Sequence, residues 1–345
     1  MRMKKLASLF MIGFFVVSLF GCNNPQQSGT TEKTVVVYTS VDQVFSEKIF
    51  QLFEQQTGIK VKAVYDIEAS KSVGLANRLI AEKGQPQADV FWNGEILQTL
   101  DLKAKDVLAK ADISAANELP ESFRDKDGQW FGFGGRARVL IVNTSKISLD
   151  KCPKTIEELA TNANVKNSGI AYPVFGTTAT QAAALYSYWG DSKANAYYTS
   201  LKNAGIQVVE GNSVVKDFVS QGKLYYGMTD SDDALGEMEK NKDLQIILLD
   251  QGADEMGTMV TPNTVAQIKG APHPEQADAF MEFLLSKAAE QAMVDDGWIH
   301  IPVHQGVTAA KALNADNIKI MPIDFTKAYT KLEISKNDMT KIFVK

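Results

Sequence analysis

VVVYTSVDQVFSEKIFQLFEQQTGIKVKAVY, residues Val35–Tyr65, carries two hydrophobic periods in one run. VVVYTS (35–40) is a short β-branched run ending in polar residues, the pattern of a buried strand. Phe45, Ile49, Leu52 and Phe53 then recur at helical spacing, and Gly58 follows as a stop signal. IKVKAVY (59–65) alternates, as a half-exposed strand does. Working outward, residues 70–83 read as a helix with Val73, Ala76, Leu79 and Ile80 on one face. ADVFW (88–92) reads as a third strand and residues 94–102 as a short helix. The β-α-β-α-β-α order predicts an α/β fold with a largely parallel, doubly wound sheet.

The alternation continues downstream. Strands are expected at 139–143, 169–172, 206–210, 224–228, 244–249 and 259–268, with helices at 179–189, 193–203, 213–220, 274–285 and 288–294. Pro262 falls inside the 259–268 strand, where it suits a bend or an edge position better than a central rung. Tyr225 and Tyr226 lie within a strand, so alternation buries one and exposes the other.

Residues 1–22, MRMKKLASLFMIGFFVVSLFGC, need separate treatment. A basic start (Arg2, Lys4, Lys5) precedes an apolar run from Leu6 to Phe20, too short to span a bilayer comfortably. It ends in Leu19-Phe20-Gly21-Cys22, which resembles a bacterial lipobox. That resemblance implies a signal peptide over 1–21, a lipidated Cys22 and a polar tether over 22–33. The body is then expected in the cell envelope, lipid-anchored and facing the periplasm or the exterior. Loss of 1–21 takes away three positive charges and no negative ones, moving the net charge from −5 to −8.

Composition excludes several classes. The 345 residues are 45% hydrophobic and 22% charged, an ordinary globular balance. The acidic net charge gives no footprint for nucleic acid. Two Cys make neither a disulfide scaffold nor a Cys-built zinc site, and Cys152 is left as a lone thiol. His273, His300 and His304 show no HExxH pairing and read as structural or surface residues. GFGGRA (132–137) leads into a strand instead of opening a helix, so it is not a dinucleotide fingerprint. There is no GxxxxGK[ST] loop, and no GxSxG elbow. No cofactor is expected.

Ligands of open parallel sheets sit beyond the carboxyl ends of strands, so the polar segments there are the candidates. Thr39 and Ser40 end the first strand. Glu95 follows a Trp-Asn-Gly turn and reads equally as a ligand carboxylate or a helix-start acid. Arg136 and Arg138 enter an apolar strand on one face, suited to a forked grip on an anionic ligand or to a buried carboxylate. Thr177 and Thr178 open an apolar helix, where free N–H groups and hydroxyls hold an anion or merely cap the helix. Asp230, Ser231 and Asp232 offer acceptors for an ammonium, sugar hydroxyls or a metal, or cap the next helix. Their spacing is not that of a calcium loop.

Four segments together, VVVYTS (35–40), ADVFWNGE (88–95), GGRARVLIVNTS (134–145) and PNTVAQIKGAPHPEQADAFMEFLLS (262–286), resemble the bacterial extracellular solute-binding proteins of ABC transporters, and more narrowly their ferric-ion-binding branch. The resemblance covers nearly all of 34–310. It implies the two-lobed periplasmic-binding-protein fold, each lobe a doubly wound sheet flanked by helices, joined by hinge crossovers near 117–140 and 255–263. The lobes would be 34–117 with 260–307, and 118–259 with 308–345. It further implies a monomer that delivers a ligand to a membrane permease and its ATPase. Iron binders of that branch use a carboxylate after the third strand, a position Glu95 matches, and adjacent tyrosines after a later strand. Here Thr229-Asp230-Ser231-Asp232 stands where the tyrosines would fall. The expected ligand is therefore a small organic anion of phosphosugar or phosphonate type. The alternatives are ferric iron with a synergistic anion, held by Glu95, Asp230 and Asp232, and a secreted phosphoester-processing enzyme using the Asp cluster.

Overall fold

A computed structural model describes residues 33–67, 70–298, 301–307, 313 and 318–343. The expected signal peptide, Cys22, nearly all of the tether, and His300 lie outside the described residues.

The opening alternation is present as read: β1 (Thr34–Thr39), α1 (Gln43–Thr57), β2 (Lys60–Tyr65), α2 (Val73–Ala81), β3 (Val90–Asn93) and α3 (Leu97–Ala104). β1 lies between β2 and β3 and is parallel to both. Gly58 ends α1 in the left-handed conformation at φ 72°, where a Cβ would be strained. The apolar face of α1 buries Ile49, Phe50 and Phe53 against Trp92, Phe280 and Trp298. Each such side chain contributes about 1.5–3 kcal/mol through apolar burial.

The chain then runs through β4 (Phe131–Asn143), α4 (Ile156–Thr161), β5 (Ser168–Ala171), α5 (Gly176–Trp189), α6 (Asp191–Ala204), β6 (Gln207–Val209), α7 (Asn212–Ser220), β7 (Tyr226–Asp230), α8 (Ser231–Met238) and β8 (Leu244–Ile247). It closes with β9 (Val260–Gln267), α9 (Pro274–Leu284), α10 (Lys287–Asp295), α11 (Phe325–Thr330) and α12 (Leu332–Phe343). The strand order is β2-β1-β3-β9-β4-β7-β5-β6, with β8 also on β4.

Two features differ from the sequence reading. First, the sheet is mixed: β2-β1-β3 and β7-β5-β6 are parallel runs, but β9 and β4 cross the middle antiparallel to their neighbours. Counting strands separated by helices hides this, because an antiparallel neighbour needs no crossover helix between its partners. Second, β4 starts at Phe131, not Val139. Its glycines suggest a turn, yet they sit in a strand with a register shift between Phe133 and Gly135, where Gly134 takes φ 41°. The first half of β4 pairs with β9, and the second half pairs with β7 and β8. One strand thus passes from one sheet into the next.

Pro262 pairs opposite Gly135 at this bulge, while β3 joins β9 only from Thr264 onward. The missing N–H therefore falls where β9 has a single strand partner. Tyr226 is fully buried and donates its hydroxyl to Asn162 Oδ1 at 3.0 Å, while Tyr225 is only half-buried. Cys152 is buried and unbridged, and burial pushes its thiol pKa up.

Three apolar clusters matter for the site. One fills the first sheet's outer side around Phe53, Trp92 and Phe280, and another surrounds Leu140, Leu185 and Tyr226. A third joins Leu97 and Leu100 of α3 to Ala183 of α5 and Ala328 of α11. α5 is thereby held against the first sheet's helices as well as its own.

Candidate functional site

Five helix N-caps line one cavity: Asp42 of α1, Ser72 of α2, Phe175 of α5, Gly211 of α7 and Asp230 of α8. The space they surround is small and partly open to solvent. This convergence follows from topology, since parallel strands deliver their following helices to the same edge. None of the five N-caps makes a side-chain capping bond. α5 and α7 also carry no acid in the first turn. Their leading N–H groups, with the positive end of each helix dipole, face the cavity without a competing carboxylate of their own. Thr177, Thr178 and Asn212 bring polar side chains to the same wall, and Ser40 brings its hydroxyl from the other sheet.

Beneath this wall lies a buried charge network. Arg138 is 1% exposed and all three guanidinium nitrogens are engaged. Nη1 donates to Asp230 Oδ1 at 2.7 Å and Asn212 Oδ1 at 3.0 Å. Nε reaches Gln181 Oε1 and Nη2 reaches Thr178 Oγ1, both at 3.3 Å. Asp230 Oδ2 accepts from Thr177 Oγ1 at 2.7 Å. The strand register explains the pairing, because Arg138 of β4 lies directly opposite Asp230 of β7. Burial alone would raise the Asp230 carboxyl, but the guanidiniums of Arg138 and Arg136 outweigh it and hold it below the usual carboxylate range.

Arg136 spans the two sheets. Its Nη1 donates to Asp232 Oδ2 at 2.9 Å, and its Nη2 donates to the Gly94 carbonyl. Burial disfavours its charge, but Asp232 and Asp230 overcome that and raise its pKa above the ordinary value. Asp233, in the first turn of α8, has the opposite fate. Burial first, then the nearby charges of Asp232, Asp230 and Asp42, push its carboxyl well above the usual range, against a lowering pull from Lys71.

Of the residues expected from sequence, Ser40, Glu95, Arg136, Thr177, Thr178 and Asp230 line the cavity together. Thr39, Arg138, Ser231 and Asp232 sit behind that lining. Thr39 Oγ1 accepts from the Val41 amide at 3.0 Å, and Ser231 Oγ accepts from the Ala137 amide at 3.1 Å. Glu95 is 1% exposed. It accepts from the Leu97 and Gln98 amides at 2.6 and 2.9 Å, from Asn93 Nδ2 at 3.0 Å and from Thr180 Oγ1 at 2.8 Å. It therefore starts α3 and ties it to α5. Asn212 and Lys71 were missed; Asp42 and Asp233 lie in the polar segments after the first strand and in the Asp cluster, without being named there as ligands. Gly211-Asn212-Ser213 at the end of a predicted strand was the available signal for the first.

The profile of the family described as bacterial extracellular solute-binding protein matches residues 36–291. The major ferric iron-binding protein of Neisseria meningitidis serogroup B is 26% identical over 266 residues, 75% of this chain and 78% of that protein. A putative 2-aminoethylphosphonate-binding periplasmic protein of Salmonella paratyphi A is 25% identical over 287 residues, 80% and 81% of the two chains. Among solved structures, iron-bound HitA from Pseudomonas aeruginosa superposes with a TM-score of 0.80 at 21% identity, covering 89% of this chain and 99% of its own. AfuA from Actinobacillus pleuropneumoniae, with exogenous fructose-6-phosphate bound, does so with a TM-score of 0.80 at 21% identity, covering 90% and 98%. These neighbours are two-lobed periplasmic binding proteins, and this chain has their fold.

Proposed function

Because the chain belongs to the bacterial extracellular solute-binding protein family, and is a solute-binding protein of an ABC importer, we propose that its solute is a small organic anion of phosphonate or phosphosugar type. The solute is captured between the lobes and handed to a membrane permease coupled to its ATPase. The lobes are those proposed from sequence, 34–117 with 260–307 and 118–259 with 308–345, the first half of β4 joining the first sheet. A lipid on Cys22 holds the monomer to the envelope.

The observation that carries the ligand class is the pair of uncapped, acid-free N-termini of α5 and α7 on one cavity wall, with Thr177, Thr178 and Asn212 beside them. Two relatives' names frame the alternatives, iron and an aminophosphonate. Iron has less support here. Asp230 and Asp232 each face a guanidinium, which a trivalent cation would have to displace. Tyr226 points its hydroxyl at Asn162, and neither Tyr225 nor Tyr226 lines the cavity. The family's members bind and release solutes, and the phosphoester-processing reading gains no support from an Asp230 held by two arginines.

Thermal-shift titration of the full chain tests this with ethylphosphonate, fructose 6-phosphate and Fe(III)–citrate. A solute that binds the native state at one hundred times its Kd stabilises it by about 2.7 kcal/mol, which is easily read. A shift with either organic anion is expected. A shift with Fe(III)–citrate alone overturns the reading.

A further inference from the structure

A second cavity, of about 820 Å³, lies on the other face of the β4–β9 ribbon from the solute cavity. Gly135, Val260 and Pro262 line it, whereas Arg136, the next residue of β4, lines the first cavity. Successive side chains of a strand point to opposite faces, so the ribbon is a wall common to both spaces. The volume falls in the range of about 300–1,000 Å³ that holds a small molecule. Four parts of the chain wall it: α3, segment 121–130, the ribbon, and residues 320–329. Its body is apolar, with Leu100, Phe123, Trp130, Ile301, Ile323 and Phe325 on the lining. Covering such surface with an apolar molecule gains about 25 cal/mol per Å² removed from water.

The charges on this lining do not cancel. Lys103 is held by Asp125 at 2.5 Å, and Asp324 caps α11 by accepting from the Lys327 amide at 3.1 Å. That leaves Glu121, which is exposed, against Arg124 and Lys126. Arg124 is half-buried, and its guanidinium has no hydrogen-bond or ion-pair partner among the described residues. Beside it, Trp130 accepts from the Asp125 amide at 3.0 Å through its carbonyl. Trp130 is 7% exposed, and its indole N–H has no acceptor among the described residues either. The unmatched groups of this wall are thus mainly donors, and a ligand head that only accepts complements them. We propose that the cavity is a second ligand site, for a small amphipathic carboxylate, with its head on Arg124 and its apolar body along Leu100, Ile323 and Phe325. A flat protein surface fits less well, because walls rise on four sides and concave sites take small molecules.

Calorimetry on the full chain compares decanoate with decyltrimethylammonium, which carries a similar apolar chain on a cationic head, each below the concentration at which it aggregates. Decanoate is expected to bind at least ~10-fold more tightly, about 1.4 kcal/mol. In Arg124→Gln that ratio is expected to fall to within ~2-fold. Ala104→Trp, at an exposed lining position of α3, narrows the cavity and is expected to weaken decanoate by at least ~10-fold. The probe comparison uses the unaltered protein, so it stands even if a variant folds poorly. Absence of decanoate binding overturns the proposal. So does equal affinity for the two heads, the result an apolar face for a protein partner would give, or a ratio unmoved in Arg124→Gln. Decanoate binding that both variants leave unchanged places the probe elsewhere, the solute cavity included, and overturns it as well.

Discussion

Replacing Arg138 with methionine removes the buried cation under the cavity wall while keeping much of its volume. The guanidinium is 1% exposed and its Nη1 sits 2.7 Å from Asp230 Oδ1. At an effective dielectric of about 20, two unit charges about 4 Å apart attract by ~4 kcal/mol. Arg138→Met gives up that attraction and strands Asp230, itself 3% exposed, in a low-dielectric site. Orphaning one partner of a buried pair costs roughly 3–5 kcal/mol. Arg136 Nη1 remains 3.8 Å from Asp230 Oδ2, so the lower end of that range is expected, about 3 kcal/mol. Asp230→Asn alone leaves Arg138 its bonds to Gln181, Thr178 and Asn212, and should cost about 2 kcal/mol. The double variant holds no orphaned charge at this pair, and should cost about 2 kcal/mol instead of the ~5 of independent losses. Urea unfolding of the four proteins at pH 7 measures this directly. The pH dependence adds a second reading. Asp230 titrates below its unfolded value, so its stabilisation is full above pH ~4 and is lost as the pH falls through the lower folded value. In Arg138→Met that acid-side loss should shrink. A cost under 1 kcal/mol for Arg138→Met, or a double variant equal to the sum of the singles, would refute this account of the network.

Three further outcomes are expected. Burial raises the Asp250 carboxyl to about 6, so the native state is best stabilised below pH ~4 and loses stability as the pH rises through 6; Asp250→Asn should gain up to about 3 kcal/mol at pH 7 and nothing at pH 3 in urea melts. Asparagine also tolerates the left-handed φ of 61° found there. Thr180→Val deletes the 2.8 Å bond from α5 to Glu95, a hydrogen bond to a charge worth about 1.5–3 kcal/mol, and should loosen lobe closure, read as a larger radius of gyration in small-angle scattering. Glu290 is fully buried and accepts from the amides of Gly134, Val303 and His304; Glu290→Gln turns one acceptor oxygen into a donor facing them and should lower stability by at least about 2 kcal/mol in chemical denaturation.

The sequence made the parallel halves legible because their signals are local. VVVYTS, the α1 stripe and Gly58 need nothing beyond neighbouring residues to be read, and the threonines opening α5 were visible for the same reason. β4 was not, because Gly132, Gly134 and Gly135 signal a turn until β9 is known to run beside them. The arginines show the same limit from the other side. Alternation placed Arg136 and Arg138 on one face, but their separate partners, Asp232 and Asp230, depend on the antiparallel register of β4 against β7. Glu95 matched a ligand position by spacing. Only the third dimension shows four donors already converging on it.

The site divides into a part built from backbone and a part built from side chains. An anion seat made of helix N-termini is built from backbone N–H groups and a dipole, so it requires the strand–helix junctions and little else of the sequence. Side chains whose charges cancel in pairs at and behind the lining, Arg138 with Asp230 and Arg136 with Asp232, can fix the wall's shape without contributing a net charge to the solute. What remains to discriminate solutes is the few polar groups at the lining that take no part in those pairs, Ser40 and Asp42 among them. A protein of this architecture can therefore exchange its solute by altering one or two such residues while every hinge and core contact stays in place.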